Sequence, residues 1–147
     1  MSIKSFFGKM LAKRDVAQTK KWSSNPIETQ RRVLQRLLKT ATNTAFGKDH
    51  NFSEINNYED FKGQVPVREY EELKPYVERV KNGELDVLWK GKPLYFAKTS
   101  GTTSGAKYIP LTKESLAYQI KAAKSALLHY IVDSGNHHFI NGKMIFL

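Results

Sequence analysis

The 147-residue chain contains no cysteine, so it can form neither a disulfide bridge nor a cysteine-based metal site. It has no apolar run of about 18 residues, which argues against a membrane-spanning helix. No apolar segment followed by a small-residue cleavage site marks a signal peptide. Together these absences lead us to expect a cytoplasmic protein with no transmembrane segment.

The chain also lacks the two commonest glycine-rich nucleotide-binding motifs. It contains no G-x-G-x-x-G, which counts against a dinucleotide-binding fold. Its glycine-rich segment closed by a lysine does not have the G-x-x-x-x-G-K-[ST] spacing, because three residues separate Gly101 from Gly105 and Tyr108 follows the lysine. A nucleotide site in this chain must therefore be of another kind.

Acidic residues are scarce in the first 40 positions, which hold 2 Asp/Glu against 10 Lys/Arg. The formal net charge of the whole chain is +10, so the other 107 residues, with 14 basic and 12 acidic, contribute only +2. A basic segment can indicate nucleic-acid binding. However, no zinc-finger spacing or aromatic RNA-binding box accompanies it. We therefore expect no nucleic-acid partner.

What the chain does contain is a loop rich in glycine and hydroxyl groups. Residues 99–107 read Thr-Ser-Gly-Thr-Thr-Ser-Gly-Ala-Lys and lie between strand-like apolar runs at 93–97 and 108–111. Glycines let backbone N–H groups approach an anion closely, hydroxyls donate to phosphate oxygens, and a lysine supplies a compact charge. The composition predicts a phosphate cradle, although such a cluster is also typical of a plain hairpin connection.

The pattern Thr-Ser-Gly-Thr-Thr-x-x-x-Lys at 99–107 resembles the first signature motif of the adenylate-forming enzymes, with Ser104 in place of the usual glycine and Ala106 in place of the usual proline. Further segments precede it in order: Phe46–His50, Tyr58–Phe61, Val65–Val67, Tyr70–Glu71, Pro75–Tyr76, Gly83–Glu84 and Val87–Trp89. With them the chain resembles, from about residue 25 onwards, a GH3-type acyl acid-amido synthetase. That family is named for auxin-responsive plant proteins.

The resemblance implies an α/β, mainly helical fold that forms the N-terminal part of a large adenylation domain. It implies that ATP, with Mg²⁺, adenylates a carboxylic acid, and that an amino acid then displaces AMP to give an amide. Lys107 becomes the catalytic, electrostatically stabilising residue. The residues implied to bind the phosphates are Thr99, Ser100, Gly101, Thr102, Thr103, Ser104 and Gly105.

The helix after the loop borders the acid pocket in that family, which makes Tyr118 and Ala122 candidate substrate-binding residues and leaves plain core packing as the alternative. No residue is assigned to bind a metal directly. The chain is shorter than the enzymes it resembles and ends at 143–147 on an apolar, strand-like run. We therefore expect a fragment without synthetase activity of its own, and one prone to self-association.

Two domains are predicted: a basic amphipathic helix over 1–22 and a partial adenylation domain over 23–147. The first carries an apolar stripe of Ile3, Phe6, Phe7, Met10 and Leu11. This stripe is expected either to pack on its own domain or on a second subunit, or to lie on an anionic membrane surface. We give the packing interpretation precedence.

Local signals predict four further helices. They are one that starts at Asn25-Pro26 and reaches Ala41, a short one over 58–61, one over about 68–81 that ends at Asn82-Gly83, and a long one from Thr112 to about Asp133. The last has an apolar stripe formed by Leu116, Ile120, Ala123, Leu127 and Ile131.

Two other functions stay open from the sequence. An acyl-CoA ligase-like enzyme would share the adenylation step and differ in the acceptor, and the segments before the loop favour the amide-forming family over it. A truncated, non-catalytic module would instead use the basic N-terminal helix to bind a partner or a membrane.

Overall fold

The computed structural model of the chain describes residues 3–99, 105–136 and 138. These residues form six α-helices and one two-stranded antiparallel sheet, so the fold is mainly helical, as predicted. The elements in order are α1 Ile3–Ser23, α2 Pro26–Ala41, α3 Ala45–Asp49, α4 Tyr58–Gln64, α5 Tyr70–Lys81, β1 Tyr95–Thr99, β2 Lys107–Leu111 and α6 Lys113–Ser134. The strand-like run at 143–147 lies outside the described residues.

The chain divides into two compact units. Unit 1 comprises Met1–Pro26 and Ala117–Leu147, and unit 2 comprises Ile27–Leu116. Unit 2 therefore holds the segments that precede the glycine-rich loop, the loop itself and the hairpin around it. Among the described residues, no helix combines the length and the apolar character needed to cross a membrane.

Helix ends follow the predicted local chemistry. Helix α2 begins at Pro26, where the missing N–H costs nothing because the first turn has no partner for it. Helix α6 is capped reciprocally: the amide of Ser115 donates to Thr112 Oγ1 over 3.1 Å, and the amide of Thr112 donates to Ser115 Oγ over 3.0 Å. Helix α5 ends before Asn82, and Gly83 adopts the left-handed φ of +90°.

The core of unit 2 is built around helix α3, which the sequence did not reveal because five residues are too few to show a helical period. The ring of Phe46 stacks on His50 with centroids 4.0 Å apart and meets the edge of Tyr76 at 5.2 Å. Backbone amides of Ala45 and Phe46 donate to the carbonyls of Asp86 and Val87. The chain after α5 thus ties down the start of α3.

His50 has a structural role in unit 2. Its side chain is buried, and its Nδ1 lies 2.8 Å from the carbonyl oxygen of Phe46, to which it donates. The other ring nitrogen, Nε2, is buried without a hydrogen-bond partner. The ring therefore serves to close the turn after α3 and to extend the aromatic cluster.

In unit 1, α1 packs against α6 through small and polar residues. The carboxylate of Asp15 accepts a hydrogen bond from Ser125 Oγ over 2.5 Å, and His129 Nε2 lies 3.1 Å from Thr19 Oγ1. Ala12 on α1 is fully buried. The face of α1 that is covered is therefore its small, polar face.

The expectation that the apolar stripe of α1 packs on its own domain is not met by the described residues. Phe6, Phe7, Met10 and Leu11 are each about half exposed, at 50–55%. The reason is that Ser5 and Ala12, on another face, occupy the buried positions. The helical period thus predicted a helix in this segment but not which of its faces is covered.

The predicted stripe of α6 needs a similar correction. Ile131 is buried as expected, whereas Ile120 is 54% exposed and Ala123 is also exposed. The packed side of α6 instead carries the polar side chains of Ser125 and His129, whose hydrogen bonds to α1 replace part of the expected apolar contact.

Gly47 allows the closest approach in unit 2. A Cβ at this position would overlap the carbonyl oxygen of Ala41 and lie 3.1 Å from that of Thr42, both backbone atoms that cannot swing aside. We expect Gly47→Ala to lower the free energy of unfolding by at least about 2 kcal/mol. Urea unfolding followed by circular dichroism measures the change.

Gly63→Ala is the matched control. Gly63 lies within α4, and a Cβ there meets nothing within 4 Å, so the same substitution should stabilise by about 0.5–1 kcal/mol. Equal stability of Gly47→Ala and the unaltered chain would contradict the close packing of α3 on the end of α2.

Candidate functional site

The glycine-rich loop connects the two strands of an antiparallel hairpin in unit 2. Thr99 at the end of β1 pairs with Lys107 at the start of β2, and the pairing continues to Tyr95 opposite Leu111. A phosphate cradle and a plain hairpin connection would both join the strands in this way, so the hairpin does not distinguish the two interpretations of the loop. Five predicted phosphate-binding residues lie outside the described residues: Ser100, Gly101, Thr102, Thr103 and Ser104.

The described ends of the loop include Thr99, Gly105 and Lys107. Gly105 has a φ of +81°, the left-handed conformation that glycine adopts without strain, and a Cβ there would meet nothing within 4 Å. Thr99 is exposed at the end of β1, and Lys107 is half-buried. The backbone at Gly105 is therefore in a left-handed turn with open space beside it.

The edge of β2 that faces away from β1 has few backbone N–H groups in need of a partner. The N–H and C=O of one residue in an antiparallel strand point to the same side. Leu111 bonds towards β1, since its carbonyl accepts from Leu94, so Tyr108 and Pro110 turn their backbone groups away from β1. Pro110 has no N–H to satisfy, which suits an edge. This leaves the amide of Tyr108 as the donor on that edge.

The hydroxyl of Tyr70 satisfies that donor. It accepts the Tyr108 amide over 2.8 Å, and it lies 3.4 Å from the Tyr108 carbonyl, to which it donates. Tyr70 is the first residue of α5, and the helix start is fixed because the Glu69 amide donates to Glu72 Oε2 over 2.8 Å. The start of α5 therefore holds the start of β2.

Two ammonium groups lie over the rings of this tyrosine pair. Lys107 Nζ is 5.6 Å from the centroid of the Tyr70 ring, and Lys81 Nζ is 4.6 Å from that of Tyr108. Lys81 also donates to both carboxylate oxygens of Glu78, at 2.8 and 2.9 Å. That carboxylate raises the pKa of Lys81 above its ordinary value of 10.5. One ammonium group from β2 and one from the end of α5 thus each lie over a ring of this pair.

Sequence reasoning did not identify Tyr70 or Lys81 as part of this site. Tyr70 and Tyr108 are 38 positions apart, and no periodic signal in the sequence joins them.

The two candidate substrate-binding residues are in the other unit. Tyr118 and Ala122 lie on α6 and are both exposed, with 52% of Tyr118 accessible. Their spacing of four residues puts them on one face of the helix. Neither residue belongs to the buried core of the described residues.

One cavity of unit 2 is lined in part by charged side chains that pair with each other or with a hydroxyl. It has a volume of about 450 Å³, and its lining includes Arg79, Glu84 and Asp49. Arg79 donates twice to Glu84, at 2.8 and 2.5 Å, and the guanidinium lowers the pKa of that carboxyl. Asp49 accepts from Tyr76 over 2.7 Å and raises the pKa of the phenol. Within the described ranges, no three His, Asp or Glu side chains group as metal ligands do.

Comparison with known proteins gives one family match and a set of plant relatives. Residues 15–147 match the model of the GH3 family N-terminal domain. The chain is 34% identical over 94 residues to the indole-3-acetic acid-amido synthetase GH3.2 of Arabidopsis thaliana, covering 63% of this chain and 17% of that protein.

Two further relatives extend the comparison. The probable indole-3-acetic acid-amido synthetase GH3.13 of Oryza sativa subsp. japonica is 40% identical over 97 residues, covering 59% of this chain and 21% of its own length. The jasmonoyl-L-amino acid synthetase JAR4 of Nicotiana attenuata is 25% identical over 118 residues, covering 79% and 20%. The chain thus spans about a fifth of the length of these curated relatives.

The Lys81–Glu78 pair gives a testable pKa. Because the carboxylate hydrogen bond is the largest cause of the shift, we expect Glu78→Gln to lower the pKa of Lys81 towards 10.5. The raised pKa means that the pair contributes stability below about pH 10.5, and that this contribution fades as the pH rises through the folded-state pKa. NMR titration of the Lys81 Cε resonances measures it.

Glu71→Gln is the control. It removes the carboxylate that lies 3.0 Å from Lys74 nearer the start of α5, and it should leave the pKa of Lys81 unchanged. If Glu78→Gln also leaves that pKa unchanged, the Lys81–Glu78 hydrogen bond is not formed in solution.

Proposed function

The chain belongs to the GH3 family, whose N-terminal domain it matches over residues 15–147, and on that premise we propose that it is the ATP phosphate-binding part of an acyl acid-amido synthetase. In this proposal the whole enzyme adenylates a carboxylic acid and transfers the acyl group to an amino acid. The observation that carries the proposal is the family match across the loop 99–107, joined to the position of Lys107 beside that loop. We propose that the protein acts in the cytoplasm, where ATP and free amino acids are abundant.

The proposed roles follow from residue chemistry. Ser100, Thr102 and Thr103 donate hydroxyl hydrogen bonds to phosphate oxygens, with Thr99 and Ser104 beside them. Gly101 and Gly105 let the backbone come close to the anion. Lys107 balances negative charge on the phosphates as the bond to the leaving pyrophosphate breaks. All of these roles act through charge and position, which is what nucleotidyl transfer requires of a protein.

The described residues fit a phosphate ligand. Gly105 provides a left-handed turn with open space beside it, and Lys107 places its ammonium over the Tyr70 ring, with no ion pair to a carboxylate among the residues that the structure describes. Mg²⁺ is part of the proposal because it binds through phosphate oxygens and one or two carboxylates, and so needs no dedicated cage of protein ligands. It would supply charge neutralisation at the polyphosphate.

The names of the relatives favour amide formation over thioester formation. The relatives cited above are named amido or amino acid synthetases, and none of those names describes an acyl-CoA ligase. The acid-binding role of Tyr118 and Ala122 stays within the proposal, supported by their exposure on one face of α6. Because the chain spans about a fifth of its relatives, we propose that it has no synthetase activity alone.

Self-association of the chain belongs to the same proposal. Leu94, Tyr95 and Ile109 of the hairpin region are 48–65% exposed. Apolar surface of this kind is normally covered in a complete protein.

Replacing Lys107 tests the phosphate role. We expect the 147-residue chain to bind Mg-ATP and Lys107→Ala to bind it roughly 10- to 100-fold more weakly, because a charge-assisted contact is lost. Isothermal titration calorimetry gives both affinities, and circular dichroism checks that the variant is folded.

Lys92→Ala is the charge-matched control, an exposed lysine outside the loop whose loss should leave ATP affinity unchanged. Unaltered affinity in Lys107→Ala would remove Lys107 from the site. Failure of the unaltered chain to bind ATP at all would contradict the proposed function.

A second candidate function rests on α1. Its four half-exposed side chains Phe6, Phe7, Met10 and Leu11 lie in a segment where residues 1–40 carry 10 basic and 2 acidic residues. An apolar face beside lysines is what an anionic lipid surface attracts. In this alternative the chain is a non-catalytic module that docks through α1.

Vesicle co-sedimentation separates this candidate from the first. If it is right, the chain pellets with vesicles containing phosphatidylserine but not with phosphatidylcholine alone, and the double substitution Phe6→Ser, Phe7→Ser abolishes pelleting. Ile27→Ser is the control, because Ile27 is 81% exposed at the start of α2 and is not part of the stripe. Equal pelleting of both variants, or none by the unaltered chain, would rule out α1 as a membrane surface.

A further inference from the structure

We propose that Tyr70 is a positioning residue for the phosphate site: its hydroxyl fixes the start of β2, and its ring supports the ammonium of Lys107. The inference rests on the proposed function, because it gives Tyr70 a role only if Lys107 meets a phosphate. Nothing in the sequence motif of the loop points to this residue.

The first part of the argument is the hydrogen bonding of the strand edge. The Tyr108 amide faces away from β1, so no partner in the sheet can accept its proton. Tyr70 Oη accepts that proton over 2.8 Å and is 3.4 Å from the carbonyl of the same residue. One hydroxyl thereby satisfies both backbone groups of Tyr108 as a neighbouring strand would.

The second part is the direct contact with the functional lysine. Lys107 immediately precedes Tyr108, and its Nζ lies 5.6 Å from the centroid of the Tyr70 ring. A ring face attracts a cation without neutralising its charge, in contrast to a carboxylate. Tyr70 can therefore hold the ammonium in place while leaving it available to an anion.

The third part of the argument is the fixed position of Tyr70 at the start of α5. Tyr70 is the first residue of α5, whose start is closed by the bond from the Glu69 amide to Glu72 and whose Val77 and Val80 are buried. The two-stranded hairpin has little such support of its own, since β1 is mostly exposed. Positional order at Lys107 is therefore transmitted from α5 through Tyr70.

Tyr70→Phe tests the inference, because it keeps the ring and removes the hydroxyl. Inorganic pyrophosphate is the probe, titrated into the folded 147-residue chain by calorimetry. We expect about a tenfold loss of affinity in Tyr70→Phe, together with an upfield shift of the Tyr108 amide proton in the NMR spectrum. Tyr76→Phe is the matched control: it also removes a hydroxyl hydrogen bond from α5, here to Asp49, and should leave pyrophosphate affinity unchanged.

A double-mutant cycle distinguishes positioning from general destabilisation. If Tyr70 acts through Lys107, the loss caused by Tyr70→Phe disappears in the Lys107→Ala background. Additive losses in the two variants, or equal losses in Tyr70→Phe and Tyr76→Phe, would overturn the inference. So would full affinity in Tyr70→Phe. An unaltered chain that does not bind pyrophosphate would instead overturn the proposed function, and the positioning role with it.

Discussion

The contact between the Tyr70 hydroxyl and the backbone of Tyr108 joins the hairpin of unit 2 to α5, at the residue that directly follows Lys107. A two-stranded sheet alone is marginally stable in water, since it has few ladder bonds and no covered face. Here β2 packs against α5, while Tyr95 on β1 remains 65% exposed. The order of the candidate site therefore comes from the helix beside it and not from the sheet that carries it.

That helix is in turn held by the core that α3 organises. Gly47 brings α3 against the end of α2, and Phe46 connects α3 to Tyr76 of α5. Contacts between packed residues thus connect Gly47, through α3 and α5, to Lys107 of the loop.

Local chemistry explains what could be predicted. Pro26, Thr112 and Gly83 mark helix ends. Pro26 has no N–H that would need a partner in the first turn, and Thr112 Oγ1 accepts from a backbone amide of the first turn. Gly83 adopts the left-handed conformation that follows a helix. The loop 99–107 was visible because glycine, hydroxyl and lysine together indicate anion binding. The Tyr70–Tyr108 bond was not, because it depends on how distant segments pack. In α1 the strongest apolar stripe lies away from the covered face, where Ala12 packs and Asp15 bonds to Ser125. From composition alone, the apolar stripe would be predicted to be the covered face and the small, polar face to be the exposed one.

The closed outer edge of β2 has one more consequence, for the register of the hairpin. Seven residues, 100–106, separate the paired Thr99 and Lys107, and a connection of that length does not dictate register as a two-residue turn does. A slip of β2 by one residue would turn Pro110 towards β1, where an N–H is needed, and would take the Tyr108 amide away from Tyr70. The register is thus set from outside the connection, so that insertions or exchanges within residues 100–104 would leave Lys107 where α5 holds it.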